Sequence, residues 1–178
     1  MVAILHEGKS IDKNFFQLLI DDLGLEKSKI SFYGMGNKSN FFKSDHMQYE
    51  DLLLEIKTEK ISKVLFIIDA DKNFENTQKQ LEEIIKKLEI TAISNYFIAC
   101  DPETKCGYLE SLILSSLSEE QKKCINDFLQ CSDFKSKTHD KSIFNTIYKN
   151  AYPNAPFDFS HKNFDELKAK LKNLFEVQ

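Results

Sequence analysis

The chain has 178 residues, 42% hydrophobic and 29% charged, a composition that excludes a disordered or membrane-dominated protein. It carries 24 lysines and no arginine against 28 acidic residues, for a net charge of −4. Without a guanidinium fork to read guanine edges, sequence-specific DNA recognition is disfavoured, whereas backbone-directed chemistry through bound cations stays open.

The first hundred residues alternate strand and helix signals. Val2–Leu5 predicts a strand, and Phe15, Phe16, Leu18, Leu19 and Leu23 recur at helical spacing until Gly24. Lys29–Tyr33 predicts a second strand, closing into the loop Gly34–Asn40 (GMGNKSN). Tyr49, Leu52, Leu53 and Ile56 mark a second helix. Lys63–Ile68 (KVLFII) is a continuous apolar run of the kind buried on both faces of a sheet. Glu75–Leu88 predicts a third helix and Ser94–Cys100 a fourth strand. Strands alternating with helices imply an α/β fold with a mostly parallel, doubly wound, Rossmann-like sheet of four strands.

After Pro102 only helical signals follow: Gly107–Leu117, then a helix opened by Ser118-x-x-Gln121 and running to about Cys131. A polar loop at Phe134–Asp140, a helix at Ile143–Lys149 and an amphipathic helix at Asn163–Phe175 complete the chain. We expect one structural domain, with an α/β core over 1–117 and a helical extension over 118–178 packed on it. No apolar run approaches the ~20 residues of a membrane helix, so no membrane association is expected. The N-terminus lacks a basic n-region and a small-residue cleavage site, and reads as the first strand of a cytoplasmic protein. The four cysteines form no C-x-x-C pair and read as reduced, structural thiols.

In an open parallel sheet, chemistry gathers outside the carboxyl ends of the strands. Strand one runs into Glu7-Gly8, and strand three runs into Asp69-Ala70-Asp71. The D-x-D spacing lets both carboxylates face the same side of the strand tip. A strand order of 2-1-3-4 makes strands one and three neighbours, so Glu7 meets the two aspartates. Acids at a spacing of ~5 Å repel unless neutralised, and a hard divalent cation, Mg²⁺ or Mn²⁺, is the natural partner. Glu110, at the start of the helix after strand four, can enter the same edge.

These residues resemble a known family. E-G-K-S after strand one, D-A-D after strand three and G-Y-L-E-S-L after strand four are together similar to Toprim-like domains. The resemblance is nearest to the small stand-alone Toprim-like family of unknown function, related to the nuclease domain of overcoming-lysogenization-defect proteins. It spans roughly Met1–Leu114 and, more loosely, the closing helix Asn163–Phe175, and the loop GMGNKSN is similar to a glycine-rich, lysine-containing loop of such domains. The resemblance implies Mg²⁺-dependent phosphoryl transfer on nucleic acid. It makes Glu7 a metal ligand or general acid/base, Asp69 and Asp71 the principal metal ligands, and Glu110 a ligand helping to hold a second metal. Relatives carry an aspartate four residues after the first glutamate. Here Ile11 holds that place and the aspartate comes at Asp12, which also suits an ordinary helix-start acid. Gly8 and Lys38 are candidate phosphate contacts, Lys38 lying in a loop whose glycine amides can form an anion nest.

Three functions follow as expectations. The first is metal-dependent phosphodiester cleavage with the nucleic-acid backbone as partner, DNA ahead of RNA. The second is a catalytically silent or partner-dependent Toprim module working with a separate ATPase, a homodimer being compatible with either. The third is a small-molecule phosphatase. His6 reads as a structural donor, the cluster Lys135, Lys137, His139 and Lys141 as a solvated loop, and Phe41–Phe42, in a polar loop, as a candidate base-stacking or partner surface.

Overall fold

The computed structural model describes residues 1–8, 11–132 and 157–176, the side chains of 11–14 excepted. The continuous apolar runs become four parallel strands: β1 (Val2–His6), β2 (Ile30–Gly34), β3 (Lys63–Asp69) and β4 (Ser94–Ala99). Their order is β2-β1-β3-β4. Every residue of β1 is buried, as is every residue of β3 after Lys63, because both central strands are covered on two faces. The edge strands β2 and β4 are only partly buried. β3 runs one residue beyond the predicted Ile68, because Asp69 still pairs with Ala99 of β4.

The connections fix which face each helix covers. On one face lie α1 (Ile11–Asp22), α5 (Leu109–Ser115), α6 (Glu119–Cys131) and α7 (Asp165–Phe175), sharing a core with Val2, Ile4, Leu65, Ile67 and Phe97. On the other lie α2 (Lys38–Phe41), α3 (Met47–Lys57) and α4 (Phe74–Lys87), packed on Ala3, Leu5, Val64, Phe66 and Ile68. The alternation of β1 and β3 residues between these two cores is the period-two pattern of a strand.

The α2 turn lies inside the predicted loop Gly34–Asn40. Asn37 starts it by accepting a hydrogen bond from Asn40 N at 3.2 Å, and Phe41 ends it by entering the core with no exposed surface. The Tyr49 hydroxyl donates to Phe41 O at 2.7 Å, and burial pushes that phenol well above its ordinary range. Phe41 is therefore core rather than a surface for stacking bases. Phe42 packs partly buried against the same core.

The C-terminal helices belong to the sheet. The crossovers from β2 to β3 and from β3 to β4 put their helices on the α4 face, leaving β3 and β4 bare on the α1 face. α5, α6 and α7 close that gap: Leu112, Ile125, Phe164, Leu167 and Leu171 all join the α1 core. Phe157 and Phe159 extend it, their rings 5.0 and 5.5 Å from that of Phe15. The expected loop at Phe134–Asp140, with its lysines, and the expected helix at Ile143–Lys149 lie outside the described residues. Among the described residues no helix is long and apolar enough to cross a membrane.

Because Leu171 is fully buried under the sheet, Leu171→Ala is expected to cost about 3 kcal/mol. Urea unfolding followed by circular dichroism should show that loss in one cooperative transition of the whole chain. A separate early transition, with the rest unshifted, would mean that α7 is a detachable extension.

Candidate functional site

The strand order reverses direction between β1 and β3, and in open α/β sheets ligands bind outside the carboxyl ends of the strands at such a point. The β1–β3 ladder ends at the pair His6↔Ile67, so Glu7 and Asp69 follow one and two residues later on adjacent strands. Glu7 and Gly8 are partly buried. Gly8 O lies 3.5 Å from where a Cβ on Gly34 would sit, so the ends of β1 and β2 approach closely.

Asp69 is 7% exposed, and its carboxylate faces α5: Leu109 N donates to Asp69 Oδ1 at 3.0 Å. Leu109 opens α5, and its amide is one of the donors that a helix leaves unsatisfied. The carboxylate also meets the positive end of the helix. This bond seats the next residue, Glu110, at the same edge, where it is 8% exposed.

Asp71 has φ +55°, a left-handed conformation that is uncommon outside glycine. It is held there by a one-residue antiparallel bridge: Asp71 N donates to Gly107 O at 2.8 Å, and Gly107 N donates back to Asp71 O at 2.6 Å. Gly107 is itself left-handed, with φ +100°, and a Cβ there would lie 2.3 Å from Ser111 Oγ. That hydroxyl accepts from Tyr108 N at 3.1 Å, so the glycine lets the turn close tightly on the start of α5. The left-handed residue interrupts the strand alternation. The Asp69 carboxylate accepts from a helix amide and the Asp71 carboxylate pairs with a lysine.

That lysine is Lys38, reaching from α2 across to the end of β3. Its Nζ lies 2.9 Å from Asp71 Oδ2 and donates to Asp69 O at 2.8 Å, Ala70 O at 3.0 Å and Thr77 Oγ1 at 2.8 Å. The Thr77 hydroxyl, on the first turn of α4, donates in turn to Ala70 O at 3.2 Å. Lys38 thus meets the protein's own oxygens where sequence reasoning expects a phosphate. Thr77 carries no sequence signal of such a role, since its place beside Ala70 depends on how α4 returns from β3.

In this arrangement the expected metal ligands do not fit a divalent ion. One oxygen of Asp69 is bound by a helix amide and one of Asp71 by Lys38. Among the described residues no group of three or more histidine, cysteine, aspartate or glutamate side chains is gathered to hold a metal. Asp12 lies on α1, and its side chain is outside the described residues. His6 is buried, its ring 6.1 Å from that of Phe32 and 6.3 Å from that of Phe16. His46 and His161 cap helical turns, each Nδ1 accepting a backbone amide hydrogen. Lys105 Nζ stands 5.7 Å from the centre of the Phe74 ring. All four cysteines are free thiols, and burial pushes the Cys100 thiol up from its ordinary range.

Asp69→Ala leaves the Leu109 amide without its carboxylate and is expected to cost about 1–3 kcal/mol, whereas Asp69→Asn keeps an acceptor oxygen and costs less. Denaturant midpoints of the two variants check this, and equal losses would contradict it. Compared with known proteins, the chain matches no family model, no curated protein and no solved structure.

Proposed function

We propose that the carboxyl edge between β1 and β3 is the working site of a Toprim-like module. Its chemistry is Mg²⁺- or Mn²⁺-dependent cleavage of phosphodiester bonds in nucleic acid, DNA ahead of RNA. The observation that carries this reading is the hydrogen bond from Leu109 N to Asp69 Oδ1. It draws the start of α5, and with it Glu110, to the end of β3, which adjoins the strand bearing Glu7. Acids from three separate elements then border one edge, and metal-assisted phosphoryl transfer would require them to draw together around the ion, since in the described arrangement they are not gathered to hold one. Arginine is absent, so the contacts to nucleic acid are to its backbone and come from lysines.

Lys38 favours a second reading, in which the isolated chain is silent and a separate ATPase activates it. With Asp71 already paired to an internal cation, the donors do not close on a metal in the described arrangement. A net charge of −4 also leaves affinity for a polyanion weak unless a partner supplies positive surface.

Nicking of supercoiled plasmid in the presence of Mn²⁺ tests both readings. The expected result is activity in the wild type and a loss of about a hundredfold or more in Asp71→Asn and Glu7→Gln, the scale of removing one electrostatic group from an active site. Activity that appears only with an added ATPase subunit supports the second reading. Full activity in both variants would contradict the site.

A further inference from the structure

We propose that the outer edge of β4 is a docking site for an extended acidic peptide, which joins the sheet as a fifth strand. The site uses none of the acids at the carboxyl ends of β1 and β3, so it stands whether or not those acids serve a metal.

Among the described residues, β4 has a neighbouring strand on one side only. Ala99 O accepts from Ala70 N at 2.9 Å, so Ala99 and, by alternation, Phe97 turn their main chain toward β3. Tyr96 and Ile98 turn theirs outward. Tyr96 N donates to Asn95 Oδ1 at 2.8 Å, which leaves the Tyr96 carbonyl and both main-chain groups of Ile98 to pair with a further strand. These two residues line a cavity of about 280 Å³ that opens beside the edge. Its walls come from both faces of the sheet: Phe74, at the start of α4, on one side, and Leu112 of α5 on the other. An open strand edge with an apolar wall on each side fits a peptide in strand conformation, whose side chains alternate between the two walls.

Charge selects the occupant. Lys105 Nζ lies 5.7 Å from the centre of the Phe74 ring, and Lys162, just before α7, lines the cavity from the other face. Lys170 of α7 reaches the start of β4, its Nζ 3.1 Å from Asn95 Oδ1 and 5.6 Å from the centre of the Tyr96 ring. The acids nearby are already engaged. Glu166, which also lines the cavity, lies 3.6 Å from Lys170 Nζ, and Glu82 accepts from the Tyr96 hydroxyl at 2.6 Å. Asp101 accepts from the amides of Glu103 and Thr104 at 2.9 and 3.0 Å. In a chain of net charge −4 this edge therefore presents ammonium groups, which carboxylates on an incoming strand complement. A second copy of β4 is the poorer partner. Antiparallel pairing would set Lys170 of one copy against Lys105 and Lys162 of the other, and lysines so placed keep an edge from pairing with itself.

Fluorescence anisotropy of a labelled short peptide alternating glutamate and valine tests the docking. Two controls accompany it: the same peptide with lysine for glutamate, and the acidic peptide N-methylated at every residue, which keeps its charge but donates no main-chain hydrogen bond. The expected result is binding of the acidic peptide at millimolar concentration or below, with neither control binding as well. In the double variant Lys105→Glu/Lys162→Glu, whose changed side chains are exposed and leave folding intact, binding should weaken about tenfold. In ¹⁵N-labelled wild-type protein the Ile98 amide resonance should move downfield on saturation, as a new hydrogen bond requires. No binding of the acidic peptide, equal binding of the N-methylated one, or an unmoved Ile98 amide would overturn strand addition. Equal binding of the lysine peptide would overturn the selection by charge. Competition by single-stranded DNA as effective as that of unlabelled acidic peptide would overturn a peptide as the occupant. Concentration-dependent dimers that shift the Ile98 amide without any peptide would assign the edge to a second copy instead.

Discussion

Carboxylates gathered at the ends of adjacent buried strands have to be neutralised, and the carboxyl edge of this protein is organised by how that is done. β1 and β3 are covered on both faces, so the polar chemistry of the sheet is confined to its ends. Asp69 is met by the first amide of α5, and Asp71 by the ammonium of Lys38. Each contact is also a structural tie. The first sets α5 and Glu110 on the sheet; the second draws the β2–α2 turn over the end of β3. The bridge between Asp71 and Gly107 then joins the loop after β3 to the loop after β4. These contacts tie the three loops to one another at this edge.

The helices past β4 follow from a different constraint. A doubly wound sheet of this order leaves half of one face without crossover helices, and an uncovered parallel sheet would expose the apolar side chains of β3 and β4. α5, α6 and α7 fill that half, with Phe164, Leu167 and Leu171 entirely buried. The described part of the extension expected over 118–178 is thus packed on the α/β core and shares its hydrophobic interior.

The four strands were legible because a continuous apolar run such as VLFII has few alternatives, and the helices because their apolar stripes recur at 3.6-residue spacing. The placement of Glu7 and Asp69 at the ends of neighbouring strands could likewise be read from where those runs stop. What was not legible depends on tertiary geometry. The tetrapeptide KSNF forms α2 because Asn37 caps it and Phe41 finds a buried site, neither of which a polar loop composition reveals. The D-x-D spacing suggests a one-sided pair of carboxylates, yet the left-handed turn at Asp71 hands the second to Lys38. Lys38 itself resembles any surface lysine in a glycine-bearing loop until the carbonyls of Asp69 and Ala70 are seen around it.

The two readings proposed for this edge, an active metal-dependent nuclease module and one silent without a separate ATPase, differ in whether the isolated chain takes up a divalent ion. The most direct test is a pair of crystal structures, one without divalent ions and one soaked in Mn²⁺, the metal being located by its anomalous scattering. The proposed metal-dependent reading predicts Lys38 within hydrogen-bond distance of Asp69 O, Ala70 O and Thr77 without metal, and a manganese peak at the edge bordered by Glu7, Asp69 and Glu110 when metal is present. No manganese peak at this edge would contradict it.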